Sequence, residues 1–166
     1  MGDCDPPPAP GARSRAALGV QQGLLTAAAA WLSFESSSLF GLREGYWAAI
    51  SAIVVMQSEL QQTEFSGRDR FLGTAIGAVI AWVCAAYWQH LSLIYALAVA
   101  LAVFSCWLAN LSNAGRLAAV AVSVIVLIPQ QEPVWKVALF RFLEVSWGIA
   151  IAVMVAALAA RILRRQ

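Results

Sequence analysis

Four segments of this chain are nearly free of charge over a length that can cross a lipid bilayer. They cover residues 16–34, 71–88, 91–110 and 137–160, and a helix needs roughly 17–20 predominantly apolar residues to cross the hydrocarbon core. Two further apolar segments, 46–56 and 117–129, are ambiguous on length alone between complete spans and re-entrant segments. The chain is 61% hydrophobic and 12% charged, against about 45–50% and about 25% in soluble domains. The sequence therefore predicts an integral membrane protein.

The basic residues decide between these alternatives, because short cytoplasmic loops are enriched in Lys and Arg. If the two short segments only dip into the membrane, five basic residues lie on the cytoplasmic side and six on the other. If all six segments cross, the count is eight against three. The cytoplasmic eight are then Arg13, Arg15, Arg68, Arg70, Arg116, Arg161, Arg164 and Arg165. We therefore expect six spans, with both termini in the cytoplasm.

The predicted fold is all-α, a polytopic membrane protein with one six-helix domain over residues 16–165. Its spans are expected at about 16–34, 46–58, 70–88, 91–110, 116–129 and 134–160. Residues 1–15 contain four of the six prolines, and we expect them to form a short disordered cytoplasmic leader.

An internal repeat divides the chain into two halves. The tripeptide Arg-Phe-Leu at 70–72 returns 71 residues later at 141–143, each time heading a long apolar stretch. This alignment pairs the third span with the sixth, the second with the fifth and, by extension, the first with the fourth. Because each half holds three spans, the second half must enter the membrane from the opposite side. The sequence therefore predicts a 3+3 inverted repeat, an arrangement that is common in transporters.

Small residues recur at every fourth position in both copies of the repeat and in the first span. Lipid supplies no hydrophobic drive for helices to associate, so such positions are where helix backbones approach closely. We predict helix packing at Gly73 and Gly77 of the first copy, Gly148 of the second, and Gly19 and Gly23 of the first span. There are more of these positions than one bundle must use internally, which favours a homodimer.

The second and fifth spans are unusually short and correspond to each other in the repeat, which in transporters points to the substrate site. Both end in polar residues, among them Gln57 and Gln130. One interpretation places these two glutamines on a substrate pathway; the other treats them as ordinary loop starts. Tyr46 and Trp47 begin the second span, and we expect them to anchor it at the headgroup level rather than to stack on a ligand.

Arg141 and Glu144 are the charges that are hardest to explain as solvated. Glu144 lies roughly 6 Å from the middle of its apolar stretch, where a lone carboxylate costs several kcal/mol. Since Arg141 is three residues away, an ion pair within the helix is expected. The pair either only neutralises itself, or Arg141 binds an anion while Glu144 exchanges a proton. Arg70 occupies the position of Arg141 in the other half, so the two arginines could attract anions near opposite mouths.

Motifs for soluble chemistry are missing from the sequence. There is no phosphate-binding loop, no dinucleotide-binding glycine pattern, no His/Cys spacing for a metal and no Ser/His/Asp set. We therefore expect neither an enzyme nor a bound cofactor or metal, and no nucleic-acid partner.

Residues 46–57, beginning with Tyr46-Trp47, and the following Arg70-x-x-Gly73-Thr74-x-x-Gly77 resemble the membrane domain of the fusaric acid resistance family, also called the aromatic acid exporter family. The last helix, from Arg141 through Glu144 to Gly148, is similar as well, and plant aluminium-activated malate channels resemble it distantly. The resemblance covers roughly residues 16–160. It implies a six-helix module of the bacterial inner membrane that exports small organic, often aromatic, acids.

The larger members of that family carry two such modules and a sizeable cytoplasmic domain, which again favours a homodimer for this chain. The expected function is export of small organic acid anions across the lipid bilayer. The alternatives are a passive anion channel and a non-transporting membrane scaffold or subunit.

Overall fold

The computed structural model describes residues 12–42, 44–87, 92–128 and 132–163. They form six helices and, over these residues, no strand, which confirms the all-α prediction. The helices are α1 Ala12–Leu39, α2 Tyr46–Val55, α3 Leu60–Tyr87, α4 Ser92–Leu108, α5 Ser112–Leu127 and α6 Val134–Leu163.

Several helix bounds differ from those expected. α1 begins at Ala12, so residues 12–15 are helical rather than part of a disordered leader, while residues 1–11 lie outside the described part. α2 ends at Val55, and α3 begins at Leu60, ten residues before the expected 70. The added turns of α3 are polar and largely exposed, so hydropathy does not detect them. The buried Thr63 hydroxyl ties this corner by accepting a hydrogen bond from the Gln57 amide (3.0 Å) and donating to the Glu59 carbonyl (3.1 Å).

α1 and α4 end in the same type of cap. Gly41 and Asn110 both have a left-handed backbone, with φ of 68° and 58°. The amide after each donates back to a carbonyl five residues earlier, Leu42 to Ser37 (3.2 Å) and Leu111 to Cys106 (2.8 Å). These are Schellman motifs, which satisfy the last helical carbonyls and stop the helix.

Small residues fill the interior, and most large apolar side chains face outward. Twelve alanines are buried, among them Ala48, Ala52, Ala102 and Ala118 with no exposed surface, whereas Leu97, Trp107 and Leu108 are each at least two-thirds exposed. An apolar outer surface of this extent is not stable in water. By length and composition alone, one described helix, over Val134–Ile162, qualifies as a membrane span; α2, α4 and α5 are shorter apolar helices.

The buried side chains form two clusters, and each contains one helix from the other half of the chain. The first joins α3 to α4 and α5 and also contains Ala138 of α6, and the second joins α6 to α1 and α2. α3 therefore packs with the two helices that follow it, while α6 returns to the first two helices of the chain.

Glycines allow the closest helix approaches in both clusters. A Cβ atom at Gly73 would lie 2.6 Å from the Ala114 carbonyl oxygen, and one at Gly77 would lie 2.5 Å from that of Ala118. α3 and α5 thus run side by side in the same direction. Gly148 of α6 lies in the same way against the Ala48 carbonyl of α2.

α3 and α6 cross at Phe71 and Phe142, whose ring centroids are 5.0 Å apart at an interplanar angle of 54°. Gly67, one turn before Phe71, lies against Ile149, which comes two turns after Phe142. The two helices are therefore antiparallel where they cross.

Candidate functional site

Arg70 of α3 and Arg141 of α6 line one small cavity of about 20 Å³, together with Trp47, Thr74 and side chains of α5. That volume is enough for about one water molecule. The expectation that the two arginines mark opposite mouths is therefore wrong. Each arginine directly precedes a phenylalanine of the α3–α6 crossing, so the crossing brings them to the same place.

Arg141 pairs with two carboxylates. Its Nη1 donates to Glu144 Oε2 at 2.8 Å, which confirms the expected ion pair within α6. Its Nη2 donates to Glu44 Oε2, on the connection between α1 and α2. Arg141 Nε is buried and has no hydrogen-bond partner among the described residues.

Glu144 is 1% exposed and holds the start of α2 in place. Its Oε1 accepts a hydrogen bond from the Glu44 backbone amide at 3.1 Å, two residues before the first residue of α2. A carboxylate is favourable at a helix N-terminus, where the backbone N–H groups lack partners. Glu144 occupies the repeat position of Gly73, so one half uses a carboxylate where the other half uses a close backbone contact.

Glu44 is the residue that sequence reasoning missed. Besides Arg141, its Oε2 accepts hydrogen bonds from the Tyr46 hydroxyl and from Trp47 Nε1, the latter at 3.2 Å. Burial alone would raise the pKa of Glu44, but the Tyr46 and Arg141 hydrogen bonds and the Arg141 charge together outweigh burial, so the pKa lies below its ordinary value. A usable signal was present, because the six-span topology expected from the sequence puts Glu44 and Arg141 on the same side of the membrane.

Trp47 and Tyr46 contact the charged groups of this site. The Arg141 guanidinium lies over the Trp47 ring, with Cζ 4.8 Å from the ring centroid, and a cation in this position is attracted by the ring face. The Tyr46 and Trp47 rings are 5.5 Å apart. The expectation that both are headgroup anchors therefore leaves out their contacts with the charged groups.

Arg70 is 6% exposed, and its Nε donates to Ser51 Oγ of α2 at 3.2 Å. It forms no ion pair with any residue in the described part of the chain. A buried cation with only a neutral partner is unfavourable unless an anion joins it. An anion that joined Arg70 would have to enter the cavity that Arg70 shares with Arg141.

Of the two predicted glutamines, Gln57 is not part of this cavity. Gln57 lines a separate and larger one, of about 400 Å³, between α1, the α2–α3 corner and the last turns of α6. Gln21, Gln22 and Gln61 line it as well. Gln130 lies outside the described residues.

A third cavity lies on the α2–α3–α5 side of the arginine cavity. It measures about 320 Å³ and is lined by Ser66, Asp69, Asn113 and Arg116, together with Val54 and Leu117. Leu117 also lines the arginine cavity. One leucine side chain therefore stands between a polar cleft and the buried arginines.

The predicted packing glycines divide into two groups. Gly73, Gly77 and Gly148 lie at close helix contacts, as described above. Gly19 and Gly23 are exposed on α1, and a Cβ atom on either would meet nothing within 4 Å in the described structure.

The interior of the molecule contains small residues and an ion pair, and large apolar residues lie on the outside. These are features of a helical membrane protein. The chain belongs to the fusaric acid resistance protein-like family, whose profile matches residues 24–155. This confirms the resemblance seen in the sequence and supports a membrane location and a link to transport or resistance. No curated protein and no solved structure matches the chain.

Proposed function

We propose that this chain is a six-span transporter module that moves small organic acid anions, including aromatic ones, across the bacterial inner membrane. Both termini are in the cytoplasm. The site is the cavity between Arg70 and Arg141, and the polar cleft beyond Leu117 leads to it from the cytoplasmic side.

The contacts between helices support an inverted repeat. Exchanging α1 with α4, α2 with α5 and α3 with α6 maps each cluster of buried residues onto the other. The exchange also maps Gly77 against Ala118 onto Gly148 against Ala48, and the cap at Gly41 onto that at Asn110. Phe71 and Phe142 are equivalent residues that touch each other, on helices that cross antiparallel. A two-fold axis in the membrane plane produces this pattern.

The short helices fit the same proposal. The ten residues of α2 extend about 15 Å and the sixteen of α5 about 24 Å, less than the roughly 30 Å of the hydrocarbon core. Each is packed against a long helix of the other half, α2 against α6 and α5 against α3. Short helices at equivalent positions are a mark of transporter substrate sites.

The observation that carries the proposal is Arg70, a buried cation without an ion pair in the described structure, beside a cavity that a second arginine also lines. A guanidinium binds a carboxylate through two parallel hydrogen bonds. The cavity has room for about one water molecule, which is less than the carboxylate of such a ligand needs. Passage of a whole organic acid therefore requires α5, which supplies Leu117, Val120 and Val124 to the cavity wall, to move away from α3.

We propose that Glu144 couples this movement to a proton. Protonation would release Arg141 Nη1 and the Glu44 amide together, because Glu144 accepts hydrogen bonds from both. The released guanidinium then binds the anion, and the start of α2 loosens at the same time.

Flux of radiolabelled benzoate into proteoliposomes tests the proposal. Arg70→Gln should abolish flux, whereas Arg68→Gln, which removes an exposed charge from the same helix, should leave most of it. Equal flux in native and Arg70→Gln vesicles would contradict the proposed site. No flux in either, from folded protein, favours the alternative of a non-transporting scaffold, and flux that shows no saturation and no response to a pH gradient favours a passive channel.

We further propose that two copies of the chain associate through α1. Gly19, Gly23 and Ala27 are exposed on this helix at four-residue spacing. A helix face of this kind lets two backbones approach closely in lipid.

A further inference from the structure

We infer that the carboxylate of Glu44 occupies the subsite for the carboxylate of an aromatic acid, so that the ligand binds by displacing Glu44. This inference rests on the proposed function and names the residue that a ligand must displace. The sequence-based predictions assigned no role to Glu44.

Three donors converge on one oxygen of Glu44: Arg141 Nη2, the Tyr46 hydroxyl and Trp47 Nε1. The donors come from two helices, α2 and α6, so the arrangement is a receptor for a carboxylate rather than a chance contact. Any carboxylate that reaches this position finds a charge-assisted bond and two neutral ones already oriented.

Charge decides that a ligand must replace Glu44 rather than join it. Arg141 already faces two carboxylates, Glu44 and Glu144, so these three groups carry one net negative charge when all are ionised. With Glu144 ionised, a further anion placed on Arg141 would lie next to both carboxylates and be repelled. An exchange of one carboxylate for another leaves the charge of the group unchanged.

Glu44 is the carboxylate that can leave. Its side chain is 31% exposed and lies on the short connection between α1 and α2, whereas Glu144 is 1% exposed in the middle of packed helices. Rotation of the Glu44 side chain toward the surface breaks three hydrogen bonds without moving a helix. The backbone amide of Glu44 stays on Glu144, so the start of α2 is still held.

The rings beside the subsite indicate the kind of acid. Tyr46 and Trp47 flank the carboxylate position, and the Tyr46 side chain is about half exposed. A monocarboxylate with a flat ring would place its ring against these two side chains while its carboxylate replaces that of Glu44. A short aliphatic acid such as acetate would gain only the carboxylate contacts.

Isothermal titration of the purified full chain in detergent with benzoate tests the inference. Glu44→Gln keeps the shape but removes the competing charge, and we expect benzoate to bind it at least ten times more tightly than it binds the native chain. Glu132→Gln removes an exposed surface carboxylate and should leave the affinity unchanged. Glu44→Ala should behave like Glu44→Gln.

A second comparison tests the aromatic contact. In the Glu44→Gln background, Trp47→Phe removes one donor and reduces the stacking surface, so it should weaken benzoate binding more than acetate binding. Equal losses for the two acids would show that the ring does not lie on Trp47 and would overturn that part of the inference.

The outcomes separate this inference from the proposed function. If the native chain transports benzoate but Glu44→Gln binds it no more tightly, the inference fails and the transporter proposal stands. If no variant binds or transports an organic acid, both fail. A Glu44→Gln chain that does not fold also overturns the inference, because the fold then requires the Glu44 carboxylate.

Discussion

Gly148 lies so close to the carbonyl oxygen of Ala48 that a single added methyl group would overlap it, and Gly77 stands in the same relation to Ala118. The two contacts lie at equivalent places in the two halves. Because the neighbouring atom belongs to a helix backbone, it cannot rotate away as a side-chain end can.

Gly148→Ala should therefore destabilise the fold, by about 1–3 kcal/mol as is usual for overpacking. Gly115→Ala is the matched control, because its Cβ atom would meet its neighbours no closer than 3.6 Å and alanine gains up to about 1 kcal/mol in a helix. Unfolding in mixed micelles measures both. A Gly148→Ala chain as stable as the Gly115→Ala chain would show that α2 and α6 do not pack this closely.

Single substitutions in the Arg141–Glu144 pair should have unequal costs. Arg141→Met leaves Glu44 and Glu144 without their cation and should cost about 3–5 kcal/mol. Glu144→Met should cost less, because Arg141 keeps Glu44. Unfolding measurements on both single variants and the double variant give the coupling between the two residues.

The double methionine variant also separates structure from transport. If the pair only neutralises itself, this variant should regain stability and transport at the native rate. If Arg141 binds the anion and Glu144 carries the proton, the variant should fold but fail to transport. Glu144→Gln should then still exchange substrate but lose acceleration by a pH gradient.

Cysteine labelling tests the topology. In a background without the three native cysteines, Ser66→Cys and Gln166→Cys should both react only with a reagent supplied from the cytoplasmic side. Both positions lie on that side if all six helices cross the membrane. Reaction of Ser66→Cys from the outside would exclude six spans, and with them the inverted repeat.

Substitution of a small residue on the exposed face of α1 by a large one tests the homodimer. Gly23→Leu should leave the fold stable, because Gly23 has no neighbour within its own described chain, but it should prevent two α1 helices from approaching closely. Light scattering of the detergent complex reports the mass. A native chain that is monomeric well above micromolar concentration would rule out the dimer.

Acid should weaken the fold partly through Glu44. Its folded-state pKa lies below the usual 4.5, so the unfolded chain binds the proton more readily. The stabilisation is present above about pH 4.5 and is lost as the pH falls through the folded-state value. Between pH 6 and pH 3 the melting temperature of Glu44→Gln should fall less than that of the native chain, and parallel curves would exclude this contribution.

The sequence allowed the helices and one ion pair to be predicted, because these follow from local spacing. Arg141 and Glu144 are three residues apart in one helix, so their contact needs no knowledge of the other helices. The meeting of Arg70 with Arg141 depends on how α3 and α6 cross, and depth along each span does not determine that. Glu44 was missed because a polar residue in a loop looks solvated until its neighbours are known.

α3 packs with the two helices that follow it, whereas α6 packs with the first two helices of the chain. This arrangement determines the order in which the two clusters can form during synthesis. α1 and α2 can pack against α6 only after the thirty residues of that helix, Val134–Leu163, have been made. About 95 residues separate the end of α1 from the start of α6, roughly 5–20 s of translation. Throughout that interval α1 and α2 lack the helix that covers their buried faces.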